Sequence, residues 1–184
     1  MTEAQRGTLP AKLARQIGAA PPLPGEAGPE PQTMMDWALH YSRRGLYVFP
    51  CDNYVGNPLM EKWHKAATTN ASQIAEFWAP SAEADIACVP DRSGHFVIAV
   101  VGKMGLVSLQ KIETQYGRLD PAIAVDNRWH NRLLFFSGIA LSSCEQLGPG
   151  IHVLGAGRYV FLPPSMARIP EELPDDQRGG SRHA

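Results

Sequence analysis

The stretch Gly94-His95-Phe96-Val97-Ile98-Ala99-Val100-Val101 decides the fold. After His95 it is an unbroken apolar run, most of it β-branched or aromatic, which is the composition of a strand. A strand that is apolar on both faces is covered on both, so this one is predicted to lie at the centre of a sheet. Gly102-Lys103-Met104-Gly105 is predicted to turn the chain, and Leu106 to Tyr116 to form a helix.

Upstream of this strand, Thr33 is placed to cap a helix, with Asp36 three positions on as in a capping box. Met34, Trp37, Ala38 and Tyr41 fall on one face at helical spacing, and Gly45 can close the helix in the left-handed region. Leu46 to Phe49 reads as a short strand stopped by Pro50. Asp52 to Ala67 reads as irregular, with a turn at Gly56-Asn57-Pro58. Thr68 or Thr69 can cap a helix from Ala71 to Trp78 whose apolar face is Ile74, Phe77 and Trp78. Asp85 to Val89 is a further strand.

Downstream, strands are predicted at Ala122–Val125, Leu133–Phe136, Ile151–Leu154 and Arg158–Phe161, with a helical turn at Ser142–Leu147. Gly155-Ala156-Gly157 is expected to join the last two strands tightly. Strands outnumber helices late in the chain. The expected class is therefore α+β, a mixed β-sheet with flanking helices, and not a doubly wound sheet. The folded unit is expected over residues 33–167. A flexible Pro/Ala/Gly-rich segment (1–32) precedes it and a polar C-terminal tail (168–184) follows.

Composition sets the outer bounds. The chain has 184 residues, 44% of them hydrophobic, enough for one domain with a real core. The net charge of -1 gives no global basic field, which weighs against a strong autonomous nucleic-acid binder but leaves room for a local patch. No apolar run is long enough to span a membrane, and the N-terminus lacks a signal-peptide pattern, so a cytoplasmic, non-membrane protein is expected. The three cysteines, Cys51, Cys88 and Cys144, show no ligand-type spacing and read as reduced thiols, two of them buried.

Several polar residues are candidates for chemistry. Lys62, His64 and Lys65 beside Trp63 have the character of a phosphate-contacting cluster with a stacking ring, against the ordinary reading of a solvated loop anchored by a buried Trp. Lys103 sits in a glycine turn but lacks the remaining spacing of a phosphate-binding loop. His95, His130 and His152 are the donor type that suits zinc, although nothing in the sequence fixes their separation. Asp85, Asp91 and Asp126 are positioned at strand edges and turns, where Asp is common without any function.

The order of motifs resembles the bifunctional DNA primase/polymerase N-terminal (prim-pol) family of archaeo-eukaryotic-type primases, from about Trp37 to Ser165. Trp37-Ala-Leu-His-Tyr-Ser-Arg-Arg-Gly-Leu-Tyr-Val-Phe-Pro-Cys51 looks like that family's first helix, Gly turn and strand. His64-Lys-Ala-Ala-Thr-Thr-Asn70, followed by Ile74 and Phe77-Trp78, matches its next segment. Ala84-Asp85-Ile86-Ala87 stands where the family has Ala-Asn-Ile-Gly. Gly150-Ile-His-Val-Leu-Gly-Ala-Gly-Arg-Tyr-Val-Phe-Leu-Pro-Pro-Ser165 resembles its closing run.

The resemblance implies a prim-pol-like fold and, in the family, nucleotidyl transfer assisted by divalent ions on carboxylates. It also locates departures. The family's Asp-Val-Asp at the end of the central strand is Ala99-Val100-Val101 here, its third Asp is His152, and the Arg that follows is Leu154. The family's nucleotide-contacting His aligns with Leu133, with His130 nearby. Alkyl side chains cannot ligate Mg²⁺, and one His is a poor substitute for hard oxygen donors. No catalytic residue, metal or cofactor is therefore expected. His130, Arg132, His152 and Arg158 are expected near the old cleft, as a residual anion-binding surface or as ordinary partly exposed polar residues.

The favoured expectation is a catalytically inactive binding or interaction module in a replication or mobile-element context. Its partner would be a protein or a weakly held nucleic acid. The alternative is an active nucleotidyltransferase whose metal site has moved to Asp85, Asp91 and Asp126. A folded relic without a task is the third reading. The oligomeric state is left open by the sequence.

Overall fold

The structure, a computed structural model, describes residues 31–126, 132–139, 142, 145–154 and 156–165. The N-terminal segment, the C-terminal tail, His130 and Cys144 fall outside the described residues, apart from positions 31 and 32.

The chain opens with α1 (Met34–Arg43), capped as the sequence predicts. The Asp36 amide donates to Thr33 Oγ1 at 3.1 Å, and the Thr33 amide donates back to Asp36 Oδ2 at 3.0 Å. Gly45 takes φ +80 just beyond the helix, which turns the chain into β1 (Val48–Cys51). A one-turn helix, α2 (Trp63–Ala66), interrupts the stretch expected to be irregular. Asn70, and not the preceding threonines, caps α3 (Ala71–Trp78), its Oδ1 accepting from the amides of Ser72 and Gln73. β2 (Asp85–Cys88), a short 3-10 turn (Asp91–Ser93) and the central strand β3 (His95–Val100) follow. Next come α4 (Gly102–Tyr116), β4 (Ile123–Asp126), β5 (Arg132–Ser137), β6 (Glu145–Gly148), β7 (Ile151–Leu154) and β8 (Val160–Phe161).

These strands form two sheets, a three-stranded one in the order β1-β2-β8 and a five-stranded one in the order β4-β5-β3-β7-β6. β3 is the middle strand of the larger sheet, as its two-sided apolar sequence demands. The α+β class holds. Where a mixed sheet was expected, every ladder among the described strands is antiparallel. β4 and β5 pair side by side, β6 and β7 do the same, and α3 returns the chain so that β2 runs against β1.

Four local expectations are corrected. Pro50 does not end β1 but sits inside it opposite Ile86; β1 is an edge strand, where a missing amide breaks no ladder. Residues 102–105 are the first turn of α4, not a loop. Gly105 lies so close to Gly150 that a Cβ there would sit 2.6 Å from the Gly150 carbonyl oxygen, and this approach lets the helix start directly against β7. The segment expected to be a helical turn contains β6, an exposed edge strand whose pairing with β7 overrides its local preference. Finally, β7 and β8 are not a hairpin: they belong to different sheets, and the glycine-rich link carries the chain from one sheet to the other.

The main core lies between the two sheets and under α1 and α3. It contains Tyr41, Leu46, Ile74, Trp78, Ile86, Cys88, Val97, Ala99, Leu133, Phe135 and Val160 among its buried members. The closing Pro-Pro-Ser ties the layers together. Tyr41 donates its hydroxyl to the Pro163 carbonyl at 2.7 Å, and Ser165 Oγ accepts from the Ile86 amide at 2.7 Å. On the other face of the large sheet, Val100, Leu134 and Ile151 pack under Leu109 of α4.

Candidate functional site

Side chains directly opposite one another in an antiparallel ladder point to the same face of the sheet. In the large sheet one such row runs across all its strands: Val125 pairs with Leu133, Leu133 with Ala99, Ala99 with His152, and His152 with Gln146. The row thus collects Ala99, Leu133 and His152, three of the positions singled out in the sequence, on adjacent strands. Val101, two residues beyond Ala99, points to the same side and packs against the same core cluster. Ala99 and Leu133 are each 3% exposed, and His152 is half-buried.

This row contains no carboxylate. Its side chains are three alkyl groups, one imidazole and one carboxamide, so it lacks the set of anionic oxygens that a hard divalent cation requires. The residues present do not fit such an ion. Among the described residues there is no group of three or more His, Cys, Asp or Glu that could hold a metal.

The acids considered for a relocated site are scattered. Asp85 is buried on β2 in the smaller sheet, opposite Cys51; burial, with the Asp85 charge adding to it, pushes the Cys51 thiol up. Asp91 sits in the 3-10 turn, where Oδ1 accepts from the Arg92 amide at 2.8 Å and Oδ2 from the Gly157 amide at 2.9 Å. Asp126 ends the edge strand β4 and holds Arg132 in a two-pronged ion pair, at 2.6 Å and 3.1 Å.

That pair also moves Arg132 away from the expected cleft. Arg132 pairs with Val100, one position out of step with Ala99, and therefore lies on the opposite face of the sheet, the face covered by α4. Its guanidinium is held above its ordinary range by the Asp126 hydrogen bond, with Glu113 of α4 contributing. Of the three histidines weighed as zinc donors, the two that are described lie apart. His152 stands opposite Ala99, whereas His95 starts β3 opposite Ser137, about 13 Å along the strand at about 3.3 Å per residue.

The basic cluster is present, and its tryptophan takes the anchoring role that was the ordinary reading of the sequence. Trp63 is not a free stacking platform: its ring lies 5.3 Å from Phe49 and 5.0 Å from Tyr159, an aromatic anchor for α2. Lys62, His64 and Lys65 are exposed around that anchor. Lys62 holds φ 51, in the left-handed region, at the start of α2.

Sequence reasoning missed Arg92. Its Nη1 donates to the carbonyls of His64, Lys65 and Ala67 at 3.1, 2.7 and 2.7 Å, and its guanidinium covers the Tyr47 ring at 4.4 Å. It neutralises the carbonyl end of α2 and adds a fourth basic residue to the patch, where Glu61 is the neighbouring exposed acid. No local signal marks this role, because its partners lie about 25 residues away in sequence. Lys103 is exposed on the first turn of α4, separate from this patch.

The comparisons with known proteins agree with the architecture. The family model for the bifunctional DNA primase/polymerase N-terminal domain (Prim-Pol) matches residues 38–177. No curated protein matches the chain. The match covers most of the 184 residues, including both sheets and the row centred on Ala99. The chain therefore belongs to the bifunctional DNA primase/polymerase N-terminal family.

Proposed function

We propose that this domain does not catalyse nucleotidyl transfer and acts as a binding module, with Lys62, His64, Lys65 and Arg92 as the contact surface for a nucleic-acid backbone. The observation that carries the first half is the row Val125–Leu133–Ala99–His152–Gln146. The family resemblance places metal-binding carboxylates at Ala99, Val101 and His152, and the row offers alkyl groups and one imidazole there. A row without acids avoids their mutual repulsion and desolvation, and Ala99 and Val101 serve as ordinary core.

The second half rests on the basic patch. It offers several exposed cations on a short helix that Arg92 and the Trp63 cluster hold in place. Phosphate contacts of this kind position a backbone without reading sequence. A replication or mobile-element setting follows from the family alone.

The test is fluorescence anisotropy with single-stranded, double-stranded and primer-template DNA at two salt concentrations, with and without Mn²⁺. Binding should weaken steeply with salt, ignore Mn²⁺ and fall about tenfold in K62A/K65A, the scale of losing roughly 1.4 kcal/mol of phosphate contact. No binding at low salt, or binding unaffected by K62A/K65A, would remove this surface from the account. A protein partner, sought by pull-down from the native cell, would then become the leading alternative.

A further inference from the structure

Beside the basic patch the chain exposes apolar side chains that the core does not use. Residues 52–57 form a closed loop after β1. The Asp52 amide donates to the Asn57 carbonyl at 2.8 Å, and Asp52 Oδ1 accepts from the amides of Tyr54 and Val55 at 2.9 and 2.8 Å. The loop presents Tyr54 and Val55, 93% and 66% exposed, and Leu59 follows at 48%. Chain length alone keeps Leu59 within about 11 Å of Lys62. The Tyr159 hydroxyl donates to the Gly56 carbonyl at 3.3 Å while the Tyr159 ring meets Trp63 at 5.0 Å, so the loop and α2 are seated on one aromatic cluster. A phosphate backbone answers Lys62, His64 and Lys65 but not Val55 and Leu59. A peptide that carries both carboxylates and alkyl groups answers both kinds of side chain.

The chain contains such a segment. Beyond Ser165 the sequence runs Met166-Ala-Arg-Ile-Pro-Glu-Glu-Leu-Pro-Asp-Asp176, and Glu171, Glu172, Leu173, Asp175 and Asp176 follow one another with no base among them. The segment lies outside the described residues, and the family match includes it, ending at residue 177. Its point of departure is close to the patch. Ser165 Oγ accepts from the Ile86 amide at 2.7 Å, Ile86 stands opposite Pro50, and the Pro50 carbonyl accepts from the Leu59 amide at 3.1 Å. Each of these steps is about 5–6 Å, which puts Ser165 within about 17 Å of Leu59. Extended chain from Ser165 reaches about 20 Å at Glu171 and about 36 Å at Asp176, enough to pass Leu59 and arrive at Lys62 and Lys65. The other described lysines, Lys103 and Lys111, are on α4, behind the large sheet.

We propose that the segment Glu171–Asp176 docks on this surface, with its carboxylates on Lys62 and Lys65 and Leu173 against Leu59 and the tip of the Tyr54–Val55 loop, and that it covers the patch in competition with nucleic acid. The docking stands on the surface itself; the competition rests on the DNA-binding reading above. A tethered segment acts at about millimolar effective concentration, so an intrinsic Kd of about 0.3 mM keeps the patch covered about three-quarters of the time and weakens a competing ligand about fourfold.

The experiment is zero-length carbodiimide cross-linking of the full chain, which joins a lysine amine to a carboxylate it touches, with the linked peptides identified by mass spectrometry. Lys62 and Lys65 should link to Glu171, Glu172, Asp175 or Asp176 within one chain, several-fold more than Lys103 and Lys111 do. The yield should fall in roughly 0.5 M salt, where charges are screened within about 4 Å. It should also fall about twofold or more in L173S, which keeps every charge. In parallel, fluorescence anisotropy at low salt should show E171Q/E172Q/D175N/D176N binding DNA about fourfold tighter than the parent, and L173S moving in the same direction.

Absence of links from Lys62 and Lys65 overturns the docking. So do links to Lys103 and Lys111 in equal yield, a yield that neither salt nor L173S reduces, or links found only between two chains in a species of twice the mass. Links of the expected kind in a chain that binds no DNA, with or without the four neutralised acids, would leave the docking standing and remove the nucleic-acid reading instead.

Discussion

Placing a carboxylate at Ala99 tests whether this position is core or cleft. Ala99 is 3% exposed and flanked on the sheet by Leu133, also 3% exposed, and by half-buried His152. With no ion to receive it, an Asp there is a buried charge that only His152 can partly offset. Burial on this scale raises a carboxyl pKa by about two to three units, and each unit is about 1.4 kcal/mol. A99D should therefore lose about 3–4 kcal/mol at pH 7 relative to A99N, which has nearly the same shape and no charge.

The sign with pH follows from proton binding. Between the unfolded and the raised native pKa the native state holds more protons, so stability falls as pH rises through that window and levels off above it. Urea denaturation of A99D and A99N from pH 4 to pH 8 measures the difference directly. The two variants should converge near pH 4 and separate by pH 7. Equal stability at pH 7, or recovery of A99D on adding Mn²⁺, would refute the reasoning, because either result means a hydrated, metal-competent site at this row.

Three further outcomes are expected. In G105A the new methyl would meet the Gly150 carbonyl oxygen at 2.6 Å, backbone that has little room to yield, so the variant should lose about 1–3 kcal/mol in urea unfolding; an unchanged midpoint would show that α4 is not seated on β7 as described. Burial pushes the thiols of Cys51 and Cys88 well above the usual range, so in a C144S background thiol labelling at pH 8 should be slower than in urea by about 10³-fold or more, the native chain reacting only when it opens. The Asp36 carboxyl is held below its ordinary 3.8 by the Thr33 hydroxyl and backbone amide. Its stabilising effect is present above that value and disappears as pH falls through the lowered native pKa, so the stability difference between the parent and D36N should shrink in acid unfolding below pH 4.

How much of this was legible in the sequence depends on the range of the forces involved. The helices at Met34 and Ala71 declare themselves through caps and apolar spacing, which are local, and β3 through a run apolar on both faces. β6 was misread because Glu145-Gln146-Leu147 has little strand preference of its own and is held by β7. The Gly155-Ala156-Gly157 link looked like a hairpin because nothing in it tells which sheet the next strand joins. At the site, the family pattern located Ala99 and His152, and the ladder makes them neighbours. Arg132 was misplaced by a single step of register, which sends a side chain to the other face. Arg92 was invisible because its partners come from a distant segment.

The central claim is that this member of the family binds without catalysing. The measurement that meets it most directly is template-directed nucleotide incorporation by the purified chain, with and without a primer, in Mg²⁺ and in Mn²⁺. The account expects no product above the protein-free background under any of these conditions. Incorporation that depends on the divalent ion and on the protein would contradict it.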